Sequence, residues 1–72
     1  MSGLSVCFVV PTYNEAENIQ LLIERIFQAT LERADWQVQI LVVDDQSPDG
    51  TGEIVADLAA EDPRILLLSA PV

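Results

Sequence analysis

The sequence of 72 residues predicts an α/β fold built on a parallel sheet, and three observations carry that prediction. Short runs rich in apolar and β-branched residues occur three times. Amphipathic segments of crossover length separate them. Turn-forming residues stand at the junctions. Apolar strands joined by such helices pair in parallel through right-handed crossovers. The expected arrangement is therefore the first β-α-β-α-β half of a three-layer, doubly wound, Rossmann-like sheet with helices on both faces.

Each element has its own signal. Ser5 to Val10 is an apolar run ended by Pro11, as a buried strand requires. Asn14 can cap a following helix, and Glu17 three residues on can close a capping box. Ile19, Leu22, Ile23, Ile26 and Phe27 then recur at i, i+3, i+4, i+7 and i+8, which is one helical stripe. That helix fades near Leu31 to Ala34, and Trp36 is expected to close its end against the sheet. Val38 to Val43 is the second strand, with the near-continuous apolar tail of a strand buried on both faces. Ser47-Pro48-Asp49-Gly50 suits a type I turn, with Ser at the first position, Pro at the second and Gly at the fourth. A second helix follows from Thr51 to Ala60, with Ile54, Val55, Leu58 and Ala59 inward. Pro63 stops it, and Ile65 to Leu68 is the third strand.

Composition bounds the function. Half of the residues are apolar and sit in blocks, so the chain is globular and forms one domain at most. No apolar run approaches the ~18 residues of a membrane span, and no basic stretch precedes an apolar core at the N-terminus. A cytoplasmic location is expected. Cys7 is the one cysteine, which excludes an internal disulfide, and its apolar surroundings suggest a buried structural thiol. With no histidine, Ser-His and Cys-His catalysis and His-based zinc sites are excluded within the chain. The net charge of −9 repels nucleic acid and anionic membrane. It also repels a nucleotide diphosphate unless a divalent cation or outside basic groups intervene. Arg25, Arg33 and Arg64 read as solvated surface.

Parallel strands bring their C-terminal ends to one rim, where open α/β sheets bind ligands. The segments 11–15 (Pro-Thr-Tyr-Asn-Glu) and 44–50 (Asp-Asp-Gln-Ser-Pro-Asp-Gly) should therefore lie side by side. A carboxylate can accept hydrogen bonds from a base or a ribose diol, and a tyrosine can pack on a flat ring. Neither GxGxxG nor GxxxxGK[ST] is present, so the dinucleotide-fold and P-loop readings fail. Taken singly, these residues keep other readings. Tyr13 also suits packing at a helix start, and Glu15 suits a first-turn acid. Asp44 and Asp45 also suit solvated loop acids or a cap. Asp49 and Ser47 suit turn formation, and Asn14 a cap.

Two motifs carry a resemblance. Val-Val-Pro-Thr-Tyr-Asn-Glu-Ala-Glu-Asn-Ile (9–19) and Val-Val-Asp-Asp-Gln-Ser-Pro-Asp-Gly-Thr (42–51), at this spacing, resemble the start of family 2 glycosyltransferases. The likeness is nearest to dolichyl- and polyprenyl-phosphate mannosyltransferases. It covers about residues 5 to 68 and only the front of that family's catalytic domain, so residues 1–72 are expected to be the N-terminal, nucleotide-binding part of it. The resemblance implies a nucleotide-diphospho-sugar transferase (GT-A) fold. It also implies transfer of mannose or another hexose from a GDP- or UDP-sugar to a lipid phosphate or saccharide acceptor. Pro11, Tyr13 and Glu15 would line the sugar-nucleotide pocket, and Val43 and Asp45 would lie beside the base. Asp44, with Asp49, would support the loop. The family usually has glycine where Gln46 stands, and glycine there allows a positive φ. The family's Asp-x-Asp motif for Mg²⁺ or Mn²⁺, its catalytic base and its acceptor site would lie beyond Val72. No catalytic or metal-ligating residue is therefore expected within the chain, and the chain alone is expected to be inactive. Any peripheral association with the cytoplasmic membrane face would come through those absent parts.

A rival resemblance exists. Ile-Leu-Val-Val-Asp-Asp-Gln (40–46) is similar to the first strand of a response-regulator receiver, a signalling module with an acidic Mg²⁺ pair. A receiver begins at that strand and needs an acid ending its third strand. Here a strand and a helix come first, and Leu68-Ser69-Ala70 carries no acid. An inert folding or interaction unit is a third reading, compatible with descent from a glycosyltransferase.

Overall fold

A computed structural model describes residues 3–69. The chain runs β1 (Leu4–Thr12), α1 (Ile19–Thr30), β2 (Trp36–Asp44), α2 (Thr51–Glu61) and β3 (Ile65–Ser69). The strands form one sheet in the order β1-β2-β3, and their pairing is parallel, as the sequence predicts. Residues 70–72, the expected tail after the third strand, lie outside the described residues.

β1 and β2 run longer than their apolar runs. Pairing extends from Leu4 opposite Trp36 to Thr12 opposite Asp44 and takes in Pro11 opposite Val43. Among the described residues β1 is an edge strand, and the proline sits where it breaks no bond to β2. Leu4 N–H donates to Asp35 O, and Thr12 O accepts from Asp45 N–H, so the even-numbered peptide groups of β1 face β2. The missing N–H of Pro11 falls on the open side, where no partner is lost. Trp36 is the first residue of β2 rather than a plug at the end of α1.

The two helices share one face of the sheet, where one on each face was expected. Two crossovers stepping the same way across the order β1-β2-β3 put both helices on the same side. There they touch each other and enclose one core of Ile19 and Ile23 from α1, Val55 from α2, Ile40 and Val42 from β2, and Ile65 from β3. Phe8, Val10, Ile26, Phe27, Leu58 and Leu67 pack around it. The described residues thus form two of the expected three layers.

Strand alternation sends the other apolar side chains outward. Cys7 is exposed on that second face and is not the buried thiol expected of its apolar run. Val9, Leu66 and Leu68 are exposed beside it, while Leu41 and Val43 are half-buried. β2 is therefore covered on one face only among the described residues, although its composition anticipates two.

The start of α1 departs from expectation. Asn14 is not its cap. It adopts a left-handed φ of 56°, and the helix begins at Ile19 with Asn18 as N-cap and no capping side-chain hydrogen bond. Arg33 and Arg64 are also more engaged than solvated surface. The Arg33 guanidinium lies 5.3 Å from the Trp36 ring centroid, and that of Arg64 lies 3.9 Å from Phe27 while pairing with Asp62 at 2.7 Å.

Candidate functional site

The register places the ends of β1 and β2 level, and their following loops meet at the carboxyl rim. Hydrogen bonds tie them together. Thr12 O accepts from Asp45 N–H at 3.1 Å, which carries the ladder one residue past β2. Three successive amides of the first loop then donate to side chains of the second loop and of the first residue of α2. Asn14 N–H reaches Ser47 Oγ at 2.9 Å, Glu15 N–H reaches Thr51 Oγ1 at 3.0 Å, and Ala16 N–H reaches Asp49 Oδ2 at 3.0 Å.

Two carboxylates stand behind these bonds. Asp44 is 2% exposed and faces the helices with its strand partner Thr12. Its Oδ1 accepts from the hydroxyls of Thr12 and Ser47, and its Oδ2 accepts from Ser47 N–H at 3.1 Å. Burial pushes this carboxyl upward, and repulsion from Asp49 adds to that. The Ser47 and Thr12 hydrogen bonds outweigh both and hold it below the ordinary aspartate value. Asp49 accepts from the Thr51 hydroxyl and N–H and from Ala16 N–H, with the Thr51 hydroxyl the main cause of its lowered pKa. Gly50, at φ 90°, makes the turn into α2. Gly52 lets Asp44 lie close, since a Cβ there would meet Asp44 Oδ2 at 3.1 Å.

Alternation separates the neighbouring acids. Asp44 points toward the helices. Asp45, held in register by its N–H bond to Thr12, falls on the side of Pro11 and Val43, which are strand partners. Tyr13 is 57% exposed, Pro11 is exposed, and Glu15, Val43 and Asp45 are half-buried. The candidate residues thus divide into Pro11, Tyr13, Glu15, Val43 and Asp45 on the accessible part of the rim, and Asp44 and Asp49 within the stitching between loops. Thr12, Ser47 and Thr51 complete that stitching. In the sequence Thr12 stands out only as part of its segment, Ser47 as a turn former and Thr51 as a helix start. The usable signal was a hydroxyl residue ending β1 level with an acid ending β2.

A cleft of about 380 Å³ opens on the helix side of the rim between Asp44, Ser47, Gly52, Glu53, Leu67 and Ser69. A larger cavity of about 620 Å³ lies at the opposite rim, beside Phe27, Arg33, Trp36 and Arg64, away from the acids. Among the described residues, no group of three or more acids and cysteines could hold a metal ion.

The structure is therefore an open, parallel α/β sheet whose loops converge at the rim where such sheets take ligands. Residues 7–71 match the family described as glycosyl transferase family 2. The chain belongs to that family. It is 51% identical over 55 residues to polyprenol monophosphomannose synthase of Mycolicibacterium smegmatis, covering 76% of this chain and 19% of that protein. It is 43% identical over 65 residues to undecaprenyl-phosphate mannosyltransferase of Micrococcus luteus, covering 90% of this chain and 25% of that protein. Its fold is similar to a mannosyltransferase from Pyrobaculum calidifontis solved with GDP-Man and Mn²⁺, with a TM-score of 0.67 and 30% identity over 99% of this chain and 20% of that one. The chain spans a quarter or less of each of these relatives. The receiver-like alternative loses its ground. The acidic pair stands at the end of the second strand of a family 2 chain, with a strand and a helix before it.

Proposed function

We propose that residues 11–15 and 43–45 form the nucleoside-binding part of a glycosyltransferase donor site. Pro11 and Val43 supply an apolar flank, Tyr13 packs on a ring, and Asp45 and Glu15 accept hydrogen bonds from the base or ribose. The observation that carries this reading is the hydrogen-bonded juxtaposition of the two loops at the carboxyl rim. The parent reaction is transfer of mannose or another hexose from a GDP- or UDP-sugar to a polyprenyl or dolichyl phosphate. The names of the relatives support that acceptor class, and the Pyrobaculum complex supports a nucleotide-sugar donor with a divalent cation.

Among the described residues no group of three or more acids and cysteines could hold a metal ion, and an acidic rim repels a diphosphate. The cation that offsets this charge is held mainly by groups outside residues 3–69. On this reading residues 11–15 and 43–45 supply nucleoside recognition. Among the described residues no helix is long and apolar enough to cross a membrane.

The test is a titration of the isotope-labelled chain with GDP-mannose and UDP-glucose in Mg²⁺, followed by amide chemical shifts. Perturbation centred on residues 11–15 and 43–47, stronger for one base, is expected. A folded chain whose spectrum stays unchanged at millimolar nucleotide would end this reading.

A further inference from the structure

We propose that Ser47 and Thr51 are positioning residues whose hydroxyls, aimed by Asp44 and Asp49, set the loop carrying Tyr13 and Glu15 against Asp45. This rests on the donor-pocket reading above. Each hydroxyl works in two directions. Ser47 Oγ donates to Asp44 Oδ1 and accepts from Asn14 N–H. Thr51 Oγ1 donates to Asp49 Oδ1 and accepts from Glu15 N–H. A hydroxyl proton committed to a carboxylate leaves the oxygen lone pairs directed at the amide, and the ionised partner strengthens the relay.

Local bonds close the first loop only from Glu15 onward, whose carbonyl oxygen accepts from Asn18 and Ile19 N–H, and they leave the amides of residues 14–16 to other partners. Asn14 is left-handed at φ 56°, so the strand ladder has ended, and α1 starts only at Ile19. The amides of Asn14, Glu15 and Ala16 are the groups a local cap would otherwise occupy, and all three go to the second loop and the first residue of α2. Tyr13 and Glu15 flank Asn14 and move with it. The two halves of the pocket are therefore placed by one set of bonds.

These bonds lie mostly at the surface. Those from Asn14 and Ala16 are exposed and that from Glu15 is partly buried, so their loss costs global stability less than it costs loop geometry. A pocket displaced by about 1 Å loses far more in binding than in folding.

The experiment compares Thr51→Val, Thr51→Ser and Ser47→Ala with the unmodified chain. Binding of GDP and UDP in Mg²⁺ is measured by calorimetry, alongside amide hydrogen exchange at residues 14–16. Thr51→Val should speed exchange at Glu15 and weaken the preferred nucleotide about tenfold, while Thr51→Ser stays within about twofold because it keeps the hydroxyl. Ser47→Ala should do the same at Asn14, and it keeps the test open should Thr51→Val fail to fold. Variants that exchange faster yet bind like the unmodified chain overturn the positioning role and leave the pocket standing. An unmodified chain that binds neither nucleotide overturns the pocket, and the positioning role falls with it.

Discussion

Asp44 and Asp45 are adjacent in sequence and have different chemistry because a strand turns successive side chains to opposite faces. Asp44 is buried and saturated with donors, so it acts on the protein. Replacing it with alanine strands the hydroxyls of Thr12 and Ser47 near the core and should cost about 3 kcal/mol, read from urea unfolding. The lowered pKa values of Asp44, Asp49 and Asp62 fix the sign of the acid response. Their stabilisation is complete above the unfolded aspartate pKa of about 3.9 and is lost as pH falls through the lower folded values. Thermal scans should therefore show the melting temperature dropping below about pH 4, and a melting temperature that rises on acidification would contradict this. Cys7 belongs to the same scale. Its exposure predicts modification by a thiol reagent without prior unfolding, whereas a thiol that reacts only in denaturant would place it in a covered layer.

Among the elements, the loop after β2 carries visible strain. Gln46 holds a positive φ of 48°, a conformation that costs L-residues about 1–2 kcal/mol and costs glycine little. Gln46→Gly should stabilise the chain by about 0.5 kcal/mol after the added unfolded-state entropy, raising the melting temperature by roughly 2–4 °C. Gly50 at φ 90° is the opposite case, and alanine there should destabilise by about 1 kcal/mol. The helices depend on a small core. Ile23 of α1 is 3% exposed and packs with Ile40, Val42, Val55 and Ile65. Ile23→Ala should cost about 2–4 kcal/mol, enough to leave a chain of this size largely unfolded by circular dichroism.

At the scale of the whole molecule, charge and apolar surface are segregated. The strand positions on the open face, including Cys7, Val9, Leu41, Val43, Leu66 and Leu68, bear no charge, while the chain as a whole carries −9. Among the described residues β1 and β3 are both edge strands of the sheet, with no strand paired to their outer sides. A neutral apolar face beside two open edges predicts concentration-dependent self-association, which sedimentation velocity measures directly. A monodisperse, cooperatively melting monomer at high protein concentration contradicts this.

Local pattern alone was enough to define the three strands, both helices, their parallel pairing and the rim to which residues 11–15 and 44–50 belong. Each depends on near-neighbour periodicity and on crossover handedness, both written in consecutive residues. Three things were decided only in three dimensions. The shared face of α1 and α2 depends on the direction in which successive crossovers step, which no local segment encodes. The exposure of Cys7 depends on what packs over the second face. The late start of α1 depends on competition, because hydroxyls and a carboxylate more than thirty residues away take the amides that Asn14 and Glu17 could have capped locally. A residue's neighbours in sequence set what it can form, and its neighbours in space set which of those bonds it keeps.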